Sequence, residues 1–362
     1  QLYLWSVDLT NSGKDVARLF TVLPHLRKVH FGEIDDKQWC LLDNQAVVHI
    51  GQHCKQQLSH LQELTFRGPS VSGINLAPVL NCSQALVILD LSRSNFGDEE
   101  VLMLADSMTE TLPTLRVLDL HECFLRVAGT ALGRLLTRLG HVECLHLQRN
   151  DLTSQAYAAL VAHLSLEAAS GIRLLEMGGA YYSQLPDSAE SSAIVTHMLS
   201  SMVGLEELCL HDLCLDATAW KALRNTLRRL PISFHYLSVK HCEGLGTRRA
   251  GKELALFVAR RAKTLKRMAL GEDANLATVQ GVASALLSRG GRRKCNSLKE
   301  IAVPHLRVVS GPQGRRPGFL RSFRETLLLH RLRRTCRNLV ICEGDWLSDL
   351  FLWKLRLSGC RR

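Results

Sequence analysis

The chain has 362 residues, 46% of them hydrophobic and 22% charged, with a net charge of +11. That apolar share can bury a sizeable core, which excludes a disordered chain, and no apolar run approaches the ~18 residues needed to cross a bilayer. Aromatic residues make up only 6% while leucine dominates the apolar count, a balance common in helical and repeat architectures.

The chain opens on Gln1, without Met or a signal-peptide pattern, and reads as a segment of a longer protein. A phrase L-x-x-L-x-L then recurs. Weak copies begin at 4 (LWSVDL) and 26 (LRKVHF). Stronger ones follow at 61 (LQELTF), 86 (LVILDL), 115 (LRVLDL), 142 (VECLHL), 172 (IRLLEM), 205 (LEELCL), 234 (FHYLSV), 265 (LKRMAL) and 298 (LKEIAV). A last weak copy begins at 336 (CRNLVI). The strong copies lie 25 to 33 residues apart. A fixed period of this length is the mark of a stacked repeat.

Each phrase is followed by a segment with helical periodicity: DEEVLMLADSMTE, VAGTALGRLLTRL, SQAYAALVAHLSL, ATAWKALRNTLRRL and RRAGKELALFVARRA. In the last of these Ala250, Leu254, Phe257, Val258, Ala262 and Leu265 make one apolar stripe. A unit of strand, turn and helix cannot bury its own apolar face, so neighbours must stack. Asn or Cys stands three residues after the third apolar position at Cys123, Asn150 and Cys242, but Ser94, Ala180, Leu213 and Asp273 take its place elsewhere.

With these features the chain, over about residues 4–341, resembles the leucine-rich repeat family, in its long-repeat, ribonuclease-inhibitor-like branch. The resemblance implies an α/β fold: a curved solenoid of about 11–12 repeats, with a parallel β-sheet on the concave side and α-helices on the convex side. Residues 1–341 would form the solenoid, acidic over 1–220 and basic over 221–341, and 342–362 a C-terminal cap or tail. The units around 31–60 and 303–336 are over-long for one repeat.

The stretch GLGTRRAGKE, at 244–253, spells the G-x-x-x-x-G-K of a phosphate-binding loop. Glu253, however, stands where such a loop needs the Ser or Thr that ligates magnesium, and Arg248 and Arg249 fill positions usually held by glycine. The stretch reads instead as the strand-to-helix turn of a repeat, with Cys242 as its ladder residue and its glycines serving the turn.

Charge divides the chain. Residues 1–220 hold 14 Lys and Arg against 25 Asp and Glu, whereas residues 221–362 hold 31 against 9. Such a basic portion suits a polyanion, and the prevalence of Arg suits bidentate contact with phosphate or carboxylate. The basic positions that form clusters are Arg248, Arg249, Lys252, Arg260, Arg261, Lys263, Arg292, Arg293, Arg315, Arg316, Arg321, Arg324, Arg331 and Arg334. With few aromatic residues among them, RNA would be met through its backbone and shape. An acidic protein such as tubulin offers the same electrostatics.

Side-chain alternation places the fifth phrase position on the concave face: His30, Thr65, Asp90, Asp119, His146, Glu176, Cys209, Ser238, Ala269 and Ala302. The third position shares that face, so Ile88, Val117 and Leu174 are expected there as exposed apolar anchors for a partner. The expected protein-binding set is Ile88, Asp90, Val117, Asp119, His121, His146, Glu176, His211 and Tyr236. Asp119, His146, Glu176 and Cys209 are successive neighbours that suggest a metal, but no C-x-x-C or paired Cys and His spacing completes a site, and no metal or other cofactor is expected. No nucleophile has an assigned base, so the chain is read as a non-enzymatic scaffold within a larger assembly of protein subunits, without membrane or small-molecule partner. The 12 cysteines sit mostly in apolar phrases and read as buried thiols of an intracellular, reducing compartment.

Overall fold

The fourth and sixth positions of the phrase point to one side of a strand, the third and fifth to the other, and stacking repeats turns these sides into the two faces of a sheet. The computed structural model describes residues 1–271 except 6–8, 10–11, 24, 33–43, 69–70, 180–184 and 262–263, and beyond them 274, 278, 281–282, 300–302 and 340–342. The chain divides into two compact units, Gln1–His235 and Tyr236–Arg362.

In the first unit the strands are β1 (Leu2–Trp5), β2 (Lys28–Gly32), β3 (Glu63–Phe66), β4 (Ile88–Asp90), β5 (Val117–Asp119), β6 (Cys144–His146), β7 (Leu174–Gly178) and β8 (Glu207–His211). Each pairs with the next, all parallel. In the second unit β9 (Tyr236–Lys240), β10 (Arg267–Leu270), β11 (Glu300–Ala302) and β12 (Val340–Cys342) pair likewise. The register aligns the fourth phrase position across the first unit: Val29, Leu64, Leu89, Leu118, Leu145, Leu175 and Leu208, all buried.

The helices of the first unit are α1 (Gly13–Val22), α2 (Asn44–His53), α3 (Lys55–Leu58), α4 (Gly73–Cys82), α5 (Asp98–Ser107), α6 (Gly129–Leu139), α7 (Ser154–His163), α8 (Leu166–Gly171), α9 (Ser188–Leu199) and α10 (Ala217–Arg228). The second unit contributes α11 (Arg248–Arg261). The helical segments foreseen from the sequence are α5, α6, α7, α10 and α11. In α6 the buried Leu132, Leu135, Leu136 and Leu139 recur at helical spacing, and Gly140, at φ +82°, closes the helix. Thr153, Ser165, Asp187 and Asp216 cap the N-termini of α7, α8, α9 and α10 through their side-chain oxygens.

Between strand and helix the backbone turns through the left-handed region at the same point of successive repeats. Gly68 does so at φ +85°, and Arg93, Glu122, Arg149, Asp212 and His241 at φ between +49° and +57°. The residue that follows ties the turn to the solenoid interior. Asn150 donates from Nδ2 to the carbonyls of Leu120 and Leu147 at 2.7 and 3.0 Å, and its Oδ1 accepts from the amide of Cys123 at 2.9 Å. The Cys123 thiol donates to Leu91 O at 3.0 Å, and the hydroxyl of Ser94 donates to the same carbonyl. Ser94 thus supplies the local half of the ladder, a bond within its own repeat, where Cys123 reaches back to the preceding one.

Three sequence readings need correction. Leu4 pairs with Phe31, so Leu4 holds the sixth position of the first phrase and not its first. Likewise Ile341 lies beside Ile301, which moves the last phrase from 336 to 338. One or two leucines cannot by themselves say which position they occupy; pairing with a full neighbour does. Gly251 does not serve the turn. It lies within α11, where an added Cβ would stand 2.7 Å from the backbone of Thr278. The over-long unit at 31–60 holds α2 and α3. The unit at 303–336 lies outside the described residues.

Candidate functional site

The face of the first unit that carries the third and fifth positions is polar and charged, because the fourth and sixth positions have taken the leucines. Its fifth-position row runs His30, Thr65, Asp90, Asp119, His146, Glu176 and Cys209, in register across β2 to β8. Ile88, Val117, Cys144 and Leu174 flank it in the third-position row. The rows are those read from the sequence. The exposure is not: Ile88, Val117 and Leu174 are buried at 5%, 3% and 5%, and Asp90 and Asp119 are at 0%. Side chains on strands about 4.8 Å apart crowd one another, and here most are also paired.

The pairs join histidines and arginines to carboxylates. Arg67 Nη2 donates to Asp90 Oδ2 at 2.9 Å, and Ser92 donates to Asp90 Oδ1 at 2.6 Å. His121 Nδ1 lies 2.7 Å from Asp119 Oδ1, and the amide of His121 donates to the same oxygen. His146 and Glu176 approach to 3.1 Å, His235 and Glu207 to 3.2 Å, and Lys28 and Glu63 to 2.8 Å. Burial pushes the Asp119 carboxyl up, as does neighbouring Asp90. The imidazoles of His121 and His146 outweigh both and hold it at about 2, so Asp119 is an ionised group in the interior.

Of the expected protein-binding set, Ile88, Asp90, Val117, Asp119, His121, His146 and Glu176 therefore lie together on β4 to β7 and the turn after β5. His211 ends β8 and is buried. Tyr236 opens β9 in the second unit, where Arg267 stacks over its ring at 4.8 Å. Among the described residues no group of three or more His, Cys, Asp or Glu could hold a metal ion, so the row Asp119, His146, Glu176 and Cys209 does not converge. Sequence reasoning missed Arg67 and Glu63. Both sit in the repeat at 61, on the face already identified, and the alternation rule applied to positions three and seven would have found them.

The basic positions fall mainly on α11. Arg248, Arg249 and Lys252 are exposed in its first two turns, which carry no acidic residue in the first turn. Arg260 and Arg261 end the same helix. Lys263, Arg292, Arg293, Arg315, Arg316, Arg321, Arg324, Arg331 and Arg334 lie outside the described residues. The helix begins four residues before Lys252, and two amides of its first turn are already engaged: Gly251 N donates to Thr247 O at 3.0 Å and Ala250 N to Thr247 Oγ1 at 3.1 Å. A phosphate cradle needs those donors free.

Of the described cysteines Cys54, Cys123, Cys144, Cys209 and Cys242 are buried free thiols, while Cys82 and Cys214 are half-buried. Burial pushes the Cys54 thiol up to about 11, and raises those of Cys123 and Cys144 further, with nearby carboxylates adding to the effect. They behave as small hydrophobes. Among the described residues no helix is long and apolar enough to cross a membrane.

Parallel strands laid down in chain order, a helix after each strand of the first unit and an Asn or Cys ladder define a leucine-rich repeat solenoid. The leucine-rich repeat-containing protein LegL7 from Legionella pneumophila shares this fold, with a TM-score of 0.52 at 15% sequence identity over 91% of this chain and 97% of that one. At that identity the likeness is one of fold. No protein-family model matches the chain, and no curated protein does.

Proposed function

We propose that the chain is a non-enzymatic interaction scaffold of a larger assembly, in which the first unit binds a protein segment on the polar face of its sheet and the second docks on a polyanion. The observation that carries this reading is that the charge division follows the structural one. Residues 1–235 hold 18 Lys and Arg against 25 Asp and Glu, while residues 236–362 hold 27 against 9. Arg248, Arg249 and Lys252 stand exposed at the start of α11, the end of a helix that repels cations. Local stability does not account for them there; attraction to an anionic partner does.

RNA of a ribonucleoprotein and an acidic protein surface both fit this charge and its prevalence of Arg, and RNA is taken first. Labelled duplex RNA tests the reading. The full chain should bind it, and the combined Arg248→Glu, Arg249→Glu and Lys252→Glu variant should lose most of that binding with an unchanged circular dichroism spectrum. An acidic peptide that displaces RNA at equal concentration of charge would favour the acidic-protein partner. Binding that survives the three reversals would reject α11 as the docking element.

A further inference from the structure

The polar face of the first unit concentrates carboxylates, and one of their buried oxygens is left without a hydrogen bond among the described residues. Five carboxylates, Glu63, Asp90, Asp119, Glu176 and Glu207, occupy the third and fifth positions of β3 to β8. Among the described residues Lys28 pairs with Glu63 and Arg67 with Asp90. The unpaired oxygen belongs to Asp119. Its Oδ1 is satisfied by His121, but Oδ2 is buried and accepts no hydrogen bond. On the same row, two strands away, the buried hydroxyl of Thr65 is also without a partner. A buried carboxylate oxygen left unpaired costs about 1–3 kcal/mol or more. Natural sequences retain such an atom where something else is meant to satisfy it.

We infer that this face receives a basic polypeptide segment, whose arginine or lysine side chain donates to Asp119 Oδ2. The inference deepens the scaffold reading given above and rests on it. A cationic donor suits the atom because it belongs to an ionised carboxylate with Asp90 on the neighbouring strand, which an anion would have to meet. A metal ion is not the match, since no described group converges on one. A polypeptide fits better than a small cation because the adjacent row of the same face is aliphatic, with Ile88, Val117 and Leu174 keeping 5%, 3% and 5% of their surface open. A segment lying across the strands and alternating basic with aliphatic side chains meets both rows at once. Entry lies past Arg67 and His121, whose side chains stand at the water boundary with 31% and 12% of their surface exposed.

The test uses the full chain and two fluorescent peptides, one alternating arginine with valine and the other glutamine with valine, read by anisotropy at physiological salt. The arginine peptide should bind in preference. Asp119→Asn should weaken it about tenfold, the worth of one charge-assisted hydrogen bond, while leaving the glutamine peptide unchanged. Thr65→Val should weaken the arginine peptide less, and it carries the test if Asp119→Asn fails to fold. Equal binding of both peptides, each lost in Val117→Arg, would overturn the cationic assignment and leave the face as a protein-binding surface. Arginine-peptide binding indifferent to Asp119→Asn in a folded protein would also overturn it. If neither peptide bound, both the assignment and the protein-binding role of this face would fall.

Discussion

Arg149 donates from Nη1 to Glu122 at 2.7 Å, one repeat back along the first unit. Both residues hold the left-handed turn position of their repeats, and the relationship extends: Arg93 Nε lies 3.2 Å from Glu122, and Arg149 Nε 3.8 Å from Asp212. Charges thus alternate at equivalent turns, and the contact from Arg149 to Asp212 passes over β7. Gly178 and Gly179 stand at that point, so close to the next repeat that an added Cβ would come within 2.2 Å of His211 O and 2.3 Å of Asp212 O. A double-mutant cycle on Arg149→Ala and Glu122→Ala should give a coupling of about 0.5–1 kcal/mol, larger than for an isolated surface pair because Glu122 is largely buried. Strict additivity would show the chain of ion pairs to be incidental.

Glycine in a helix usually costs stability, yet Gly129→Ala should destabilise this protein. Gly129 begins α6 where an added Cβ would lie 1.9 Å from Ala156 O in α7. Overpacking of this kind costs about 1–3 kcal/mol, more than the ~1 kcal/mol that alanine gains by propensity. Chemical denaturation of the variant should show a lower midpoint. A rise would mean that α6 and α7 separate at no cost.

The lowered pKa of Asp119 makes the fold sensitive to pH. Its folded value of about 2 lies below the ordinary 3.8, so ionised Asp119 stabilises the fold above about pH 4. That stability is lost as pH falls from about 4 to about 2. Stability measured against pH should fall less steeply in this window for Asp119→Asn than for the parent chain. Identical slopes would show that the carboxylate is not held by His121 and His146.

Calorimetry with Mg-ATP should be silent. Glu253 replaces the magnesium-ligating hydroxyl, and the amides of Ala250 and Gly251 already serve the helix. Binding abolished by Lys252→Ala would contradict this.

Much of the fold was legible because the repeat states it nine times over: each L-x-x-L-x-L of the strong copies became a strand, and the segments read as helices are helices. The weak copies at 4 and 336 went wrong by register, since a single Leu4 fits the first position as well as the sixth, and only pairing with Phe31 decides. The same alternation placed Asp90, Asp119, His146 and Glu176 on one face. It could not show how deep they lie or that Asp119 takes His121 as its partner, because burial and ion pairing depend on what the adjacent strands carry. The role of Gly251 was missed for a similar reason: close packing against Thr278 leaves no mark on the local sequence.

The most direct test of separate tasks for the two units is the affinity of the full chain for duplex RNA, measured against salt. Contacts from some five cations should give a log–log slope of about −4 to −5. Reversing Arg248, Arg249 and Lys252 to Glu should make the slope shallower by about 2–3, while Asp119→Asn in the first unit leaves it unchanged. A slope near zero, or one that Asp119→Asn alters as much as the three reversals do, would contradict the division of labour.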